Sequence, residues 1–145
     1  MKTTFASYIS FLQRDFLEYT KQQLKEINLT YGQLPVIIYI GKHEECSQAE
    51  LTENLQLDWG YSQRTINKLV ETGFIIKTNT NNINQLSLTS KGKAAFDLSH
   101  HVFFSWDNEA LKDLSEEDIK SLKTILKKIA KHKLQNLPEY MKSKN

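Results

Sequence analysis

The chain has 145 residues, of which 39% are hydrophobic and 25% are charged, and its formal net charge is only +2. These values are typical of a globular protein, and they exclude a disordered chain or one with a strongly basic overall field. The single cysteine, Cys46, excludes an internal disulfide framework. No apolar run approaches the roughly 20 residues that span a bilayer. We therefore expect a cytoplasmic protein without a membrane partner.

The first part of the chain predicts two helices. Apolar residues over 5–27 recur at spacings of three and four, which predicts a long amphipathic helix that ends at Asn28. Thr30 and Gln33 form a capping box, so a second helix is expected over about 31–43. Pro35 lies just beyond its first turn, where we expect it to remove one backbone hydrogen bond.

Residues 47–73 predict two short helices joined by a tight turn, with Ser47 capping the third helix and Asp58 capping the fourth. One face of the fourth helix is expected to be buried: Ser62, Ile66, Leu69 and Gly73. The opposite face carries side chains that read base edges or bind phosphates in a DNA major groove: Gln63, Arg64, Asn67 and Lys68.

Two strands are predicted next, over 74–77 and 85–88, with a loop over 78–84 that contains four asparagines. Asparagine tolerates left-handed turn geometry, so this segment predicts a hairpin. Thr89 is expected to cap a fifth helix, and Ser115 with Asp118 a sixth, whose apolar stripe runs to Leu134. The predicted fold is therefore mainly α with a small β-hairpin wing. It contains a winged helix-turn-helix lobe, with further helices before and after it.

Four motifs accompany this order of elements: LTYGQLP at 29–35, SQAEL at 47–51, NKLVETGFI at 67–75 and LTSKG at 88–92. Together they resemble the MarR family of bacterial transcriptional regulators. The resemblance implies a homodimer that binds a pseudo-palindromic operator in double-stranded DNA, and repression that a small-molecule effector releases. The terminal helices support pairing independently, because the small central lobe cannot bury their apolar stripes.

We therefore expect one MarR-like domain over 1–145. Its winged lobe would occupy 30–96, and its dimerisation region 1–28 and 97–137. The predicted function is a sequence-specific DNA-binding transcriptional regulator, a ligand-responsive homodimeric repressor rather than an enzyme. The alternative is a winged-helix dimer with weakened DNA binding that acts mainly through protein–protein contacts.

By resemblance, Arg64 matches the arginine commonly found in the middle of the family's recognition helix. A bidentate arginine contact to guanine contributes roughly 1–3 kcal/mol of discrimination. Trp59 either packs against the lobe or contacts a sugar or a thymine methyl, and the whole face could instead be the solvated side of a surface helix. The predicted DNA-contacting residues are Trp59, Gly60, Gln63, Arg64, Asn67, Lys68, Lys77, Asn79, Asn81, Asn82 and Lys91.

The wing departs from the family pattern. Relatives usually carry an aspartate and one or more arginines there, whereas residues 78–90 contain no charged side chain. Asparagines form hydrogen bonds with DNA but release no counterions, so each missing arginine should flatten the salt dependence by about one unit. We expect weaker and less salt-sensitive DNA binding than is usual for this fold.

An effector pocket is expected where the first, second and fifth helices meet, although aromatic residues at helical spacing are also typical of ordinary core. Its predicted lining is Tyr8, Phe16, Tyr19, Tyr39, His101 and Phe104. Residues 43–46 and the pair His100–His101 lack the convergent spacing of metal ligands, and no catalytic triad or phosphate loop is evident. We expect no metal, cofactor or catalytic residue. Cys46 is either a plain small residue or a redox switch.

Overall fold

The computed structural model describes residues 3–131. Its helices are α1 (Phe5–Leu24), α2 (Leu34–Lys42), α3 (Gln48–Asn54), α4 (Trp59–Glu71), α5 (Ser90–Ala110) and α6 (Glu116–Ala130). Single 3₁₀ turns occupy Lys25–Ile27 and Tyr31–Gln33. Strands β1 (Cys46–Ser47), β2 (Ile75–Thr80) and β3 (Ile83–Leu88) form an antiparallel sheet in the order β1-β3-β2. The predicted fold class, mainly α with a small hairpin wing, is confirmed.

Helix α2 occupies the centre of the core. It packs against α5, α3 and β3, and its buried residues are Leu34, Val36, Ile37, Ile38, Tyr39 and Ile40. A helix that is apolar on nearly all sides must be covered on nearly all sides. The contact with α5 is especially close, because a Cβ atom added at Gly41 would overlap the ring of Phe96.

The turn into α2 corrects one prediction. The capping box forms as expected, with the Thr30 N–H donating to Gln33 Oε1 at 2.9 Å. It opens a 3₁₀ turn rather than an α-helix, so α2 begins at Leu34 and Pro35 lies in its first turn. Amide groups of a first turn have no partner within the helix, so Pro35 removes no helical hydrogen bond there and the expectation was wrong.

The helix-turn-helix is joined by a buried hydrogen bond. The Thr52 and Ser62 hydroxyl oxygens lie 2.6 Å apart between α3 and α4, and Thr52 also donates to the Gln48 carbonyl at 2.7 Å. Asp58 caps α4 as predicted, with its Oδ2 accepting from the Tyr61 N–H at 3.1 Å. These bonds hold the two helices in one relative orientation.

The predicted buried face of α4 is correct for Ser62, Ile66 and Leu69, but Gly73 is not part of the buried core. Gly73 lies beyond the last turn of α4, where its φ of +86° is a left-handed conformation that glycine adopts without strain. It therefore acts as the predicted stop and not as a core residue.

The hairpin is longer than predicted. The strands extend through Asn79 and Asn84, which face each other across the ladder, and the Asn79 Nδ2 donates to Asn84 Oδ1 at 3.1 Å. Only Asn81 and Asn82 form the turn, both with positive φ (53° and 64°), as a type I′ hairpin turn requires. Asparagine is rare in strands, which is why the sequence reads as a long loop here.

Within the described residues, most side chains of the dimerisation region predicted from sequence are exposed. Phe16 of α1 packs against Phe103 and Trp106 of α5, each at a ring-centroid distance of 5.2 Å, and the Trp106 indole donates to Asp15 at 3.0 Å. Side chains in the first three turns of α1 are exposed. Helix α6 begins at the predicted Ser115 capping box and buries none of its described residues.

Residues Lys133, Leu134 and the Pro138 segment, to which the predicted stripe and tail extended, lie outside the described residues. Within 3–131, no helix combines the length and apolar character needed to cross a membrane.

Replacement of Gly92 by alanine should destabilise the fold. The Thr89 hydroxyl accepts from the Gly92 N–H at 3.0 Å and donates to the Gly73 carbonyl at 2.6 Å, which draws the start of α5 against the start of the wing. A Cβ atom at Gly92 would overlap the Phe74 carbonyl oxygen, which is backbone and cannot turn aside.

We expect Gly92→Ala to lower the free energy of unfolding by about 1–3 kcal/mol, as overpacking does. Urea unfolding at one protein concentration measures it, with Lys93→Ala on the same turn as a control that should change stability by less than about 0.5 kcal/mol. A stabilised Gly92→Ala variant, the usual result in an open helix, would contradict the close contact.

Candidate nucleic-acid interface

Helix α4 presents one polar face to solvent. Gln63, Arg64, Asn67 and Lys68 are all exposed, as predicted, while the opposite side is buried in the lobe. The helix has 13 residues, which gives it a length of about 20 Å, enough to lie along a major groove. Lys68 forms a surface ion pair with Glu71 at 3.8 Å. Both side chains are exposed, so this ion pair is too weak to prevent the ammonium group from binding a phosphate.

The Arg64 side chain extends back toward the start of α4. A Cβ atom built on Gly60 would lie 3.1 Å from Arg64 Nη1 and 3.2 Å from Asp58 Oδ2. Gly60 therefore leaves the space in which the guanidinium group sits, close to the carboxylate that caps the helix. A side chain at Gly60 would make the Arg64 guanidinium group shift by a few tenths of an ångström. That Gly60 contacts DNA stays a prediction.

Two of the lysines that were predicted to contact DNA take part in the fold of the lobe itself. The Lys91 Nζ donates to the Thr72 carbonyl at 2.7 Å and lies 4.3 Å from the centroid of the Phe74 ring. It thus binds a free carbonyl at the end of α4. Lys77 is half-buried in β2, opposite Leu86. Contacts of these two lysines with DNA stay predictions.

A cleft of about 350 Å³ separates the tip of the wing from the starts of α3 and α4, and we call it the wing cleft. Trp59 lines this cleft and is 51% exposed, so Trp59 is not a core residue of the lobe. The residues that line the wing cleft are Ser47, Gln48, Ala49, Trp59, Asn82, Ile83 and Asn84.

Only Trp59 and Asn82 of this set were predicted from sequence as interface residues. The others were missed because the strand pairing of β1 with β3 brings them together, with Cys46 opposite Leu86 and Ser47 opposite Gln85. A strand of two residues has no detectable periodicity. The one local feature of this strand in the sequence is Ser47, directly after the buried Cys46. A capping serine predicts a helix start rather than a strand.

The six predicted effector-pocket residues do not surround one cavity. Tyr39 is buried and stacks on His43, Phe16 and Tyr19 are half-buried, and Tyr8, His101 and Phe104 are exposed. The cleft between α2 and α5 is lined instead by Tyr31, Leu34, Pro35, Ile38 and Phe103. Its volume of about 10 Å³ admits roughly one water molecule, so it holds no effector in this conformation.

Other reactive groups are few in the described part of the chain. Within 3–131, no three His, Cys, Asp or Glu side chains lie close enough to hold a metal ion. Cys46 is buried, and that burial, with the negative charges of Glu50 and Glu44, raises the pKa of its thiol to about 12 from an ordinary 9.0. The thiolate required for redox chemistry is therefore disfavoured.

Comparison with known proteins identifies the family. The chain is 38% identical over 136 residues to the HTH-type transcriptional regulator BilQ of Clostridium symbiosum (strain WAL-14163), an alignment that covers 92% of this chain and 94% of that protein. The chain belongs to the MarR family of HTH-type transcriptional regulators. It is a DNA-binding transcriptional regulator of the winged helix-turn-helix class. No protein-family model matches the chain.

Solved structures of the MarR family share the fold. A crystal structure of MarR superposes with a TM-score of 0.76 at 22% identity, covering 92% of this chain and 93% of that chain. A Listeria monocytogenes protein described as a MarR family transcriptional regulator was crystallised with a 26mer DNA. It superposes with a TM-score of 0.71 at 27% identity, covering 91% of this chain and 89% of that chain. In this MarR fold, α4 is the second helix of the helix-turn-helix, and β2–β3 form the wing.

The Cys46 thiol should be unreactive in the folded protein. Its folded pKa of about 12 lies above the unfolded value of 9.0, so between these values only the unfolded chain ionises. The stabilisation that follows is present below pH 9 and is lost as the pH rises from 9 toward 12.

We expect no reaction with an aromatic disulfide reagent at neutral pH until denaturant is added. A Thr124→Cys variant in a Cys46→Ser background supplies an exposed thiol as the matched control. Rapid reaction of native Cys46 would restore the redox-switch hypothesis.

Proposed function

We propose that the protein is a homodimeric, ligand-responsive repressor that acts in the cytoplasm on a pseudo-palindromic operator in double-stranded DNA. Residues 30–96 would form the DNA-binding lobe, and 1–28 with 97–137 the dimerisation region. The observation that carries the proposal is the exposed face of α4, where Arg64 extends over Gly60 among other base-reading side chains.

Sequence reading by α4 is supported by the chemistry of its exposed face. Arginine donates to guanine O6 and N7, and glutamine and asparagine pair with adenine. Gln63, Arg64 and Asn67 carry these groups on adjacent turns of one helix. The Listeria relative was crystallised with DNA, which favours the same use of the shared fold here.

Pairing of two copies is supported by exposed apolar surface. Phe11 of α1, Phe104 of α5 and Ile125 of α6 are 61%, 69% and 54% exposed. Monomeric proteins rarely leave a large contiguous apolar surface in water, and a two-fold dimer buries the same surface on both copies. A two-fold dimer also matches a two-fold operator.

Effector control is supported by the aromatic composition of the cleft between α2 and α5. Tyr31 and Phe103 line the cleft, and both rings pack near Phe16 of α1, at centroid distances of 6.1 and 5.2 Å. An effector of apolar, aromatic character would enter by parting these rings. Because α5 runs from the wing to the outer helices, a shift of Phe103 would move the lobe relative to them.

Replacement of Arg64 by alanine should abolish sequence-specific binding. The wild-type protein is expected to enrich a roughly two-fold symmetric site from fragments of the source genome, since each protomer reads one half-site. Removal of a bidentate arginine–guanine pair lowers the discrimination against other bases by roughly 1–3 kcal/mol in each of the two half-sites. Sequencing of bound fragments measures the enrichment.

Arg14→Ala is the matched control, because Arg14 is an exposed arginine on α1, outside the lobe. It should enrich the same site as the wild type. Equal enrichment by Arg64→Ala, or no enrichment by the wild type at low salt, would favour the alternative of a winged-helix dimer that acts through protein contacts.

A charge on the apolar side of α6 should disrupt the dimer. Ile129 is half exposed on the apolar stripe of α6, whereas Thr124 lies on the opposite face of the same helix. Ile129→Lys would bury an ammonium group in an interface, which is strongly unfavourable. Analytical ultracentrifugation is expected to show dissociation at micromolar concentration, while Thr124→Lys remains dimeric. A monomeric wild-type protein would contradict the proposal directly.

A further inference from the structure

The end of α4 is held by the start of α5 through three successive carbonyl oxygens. The Thr89 hydroxyl donates to the Gly73 carbonyl at 2.6 Å, and the Thr89 N–H donates to the Phe74 carbonyl at 3.1 Å. The Lys91 Nζ donates to the Thr72 carbonyl at 2.7 Å. Carbonyls at the end of a helix lack partners within it, so a neighbouring element must supply donors. Here one of those donors is the charged end of a long side chain.

The Lys91 ammonium group has a defined position although the residue is exposed. Besides its bond to Thr72, it lies 4.3 Å from the centroid of the Phe74 ring. A cation is attracted to the face of an aromatic ring and also to the negative end of a helix dipole. A surface lysine ordinarily samples many rotamers, so one fixed placement requires partners of this kind.

The carbonyl that Lys91 binds belongs to a residue that is tied to the exposed face of α4. The Thr72 N–H and the Thr72 hydroxyl both donate to the Lys68 carbonyl, at 2.9 and 2.7 Å. Lys68 and Asn67 lie near the end of the polar face. A displacement of Thr72 therefore displaces the backbone that carries these two side chains.

We propose that Lys91 is a positioning residue that raises the discrimination between the operator and random DNA, and that it acts through Thr72. The proposal rests on the proposed function, in which α4 reads base edges. Hydrogen bonds to bases tolerate only small changes in distance and angle, so a slight shift of α4 breaks them. Phosphate contacts carry no sequence information, and long flexible side chains maintain them after such a shift. This role differs from the DNA contact that the sequence predicted for Lys91.

Three possible roles of Lys91 leave different signatures in binding data. A lysine that binds a phosphate releases counterions, so its loss weakens specific and random binding and flattens the salt slope by about 0.9. A lysine that only stabilises the fold lowers the fraction of active protein, which reduces both affinities in the same proportion. A lysine that positions α4 changes specific binding alone and leaves the salt slope as it was.

The test uses the full-length protein and two fluorescent duplexes, one with the site enriched by the wild type and one with the same bases scrambled. Lys91→Met keeps an apolar stem against Phe74 and removes the ammonium group. Lys93→Met is the matched control, because Lys93 lies on the same turn of α5 and loses the same charge without the bond to Thr72. Relative to this control, Lys91→Met should bind the site about tenfold more weakly, as loss of a charged hydrogen bond does. The affinity for the scrambled duplex and the salt slope should equal those of the control.

Hydrogen exchange in the free protein tests the bond to Thr72 without DNA. The Gly73 and Phe74 amides close the end of α4, donating to the Val70 and Leu69 carbonyls at 3.1 and 2.9 Å. In Lys91→Met these amides should exchange about tenfold faster, because local opening no longer breaks the lysine bond. A lysine that serves only to bind phosphate would leave both rates unchanged.

Lys91→Gln removes the same charge and repeats the test if the methionine variant misfolds. A salt slope flatter than that of Lys93→Met by about 0.9 would overturn the proposal in favour of a phosphate contact. Equal losses on the two duplexes, or unchanged exchange at Gly73 and Phe74, would also overturn it.

Failure of this inference is distinct from failure of the proposed function. An enriched site that Lys91→Met binds as tightly as Lys93→Met does would overturn the role of Lys91 alone. The absence of any enriched site for the wild type would overturn the proposed function, and the role of Lys91 in discrimination with it.

Discussion

The fold depends on the burial of α2. Six of the nine residues of this helix are buried, so it must be covered by α5, α3 and β3 at once. Fully burying one such aliphatic side chain contributes about 1.5–3 kcal/mol, which no surface interaction in the described part of this chain approaches. The close approach of Phe96 to Gly41 fixes how α5 crosses α2. Because α5 starts at the wing and ends among the outer helices, this single packing contact links the winged lobe to the outer helices.

Polar contacts then determine how the lobe presents its surface. The hydrogen bond between Thr52 and Ser62 is buried, and in a low dielectric such a bond is strengthened and its geometry restricted. It holds α4 against α3, while Asp58 and Gly73 set where α4 begins and ends. The polar face of α4 is consequently displayed by a rigid support, and Gly60 leaves room for the Arg64 guanidinium group near the start of the helix.

Local patterns in the sequence predicted most of the fold and the exposed face of α4. Capping residues and helical spacing are local, so Ser47, Asp58, Thr89 and Ser115 marked helix starts correctly. What escaped prediction depends on contacts between distant residues. The wing cleft forms because β1 pairs with β3 about 40 residues later, and the hairpin extends through Asn79 and Asn84 because each supports the other. The aromatic residues assigned to an effector pocket had the right spacing, but spacing does not report which side of a helix meets a neighbour.

The uncharged wing has a consequence for how the regulator is distributed in a cell. A chromosome offers about a million or more random sites that compete with the operator, and occupancy follows the ratio of specific to random affinity rather than the affinity itself. The affinity for random sites comes almost entirely from counterion release. Residues 78–90 carry no charge, so in the proposed complex they would release no counterions, and binding to random sequence would lose a larger share of its free energy than binding to the operator. A larger share of the regulator would then be free in solution rather than bound along the chromosome.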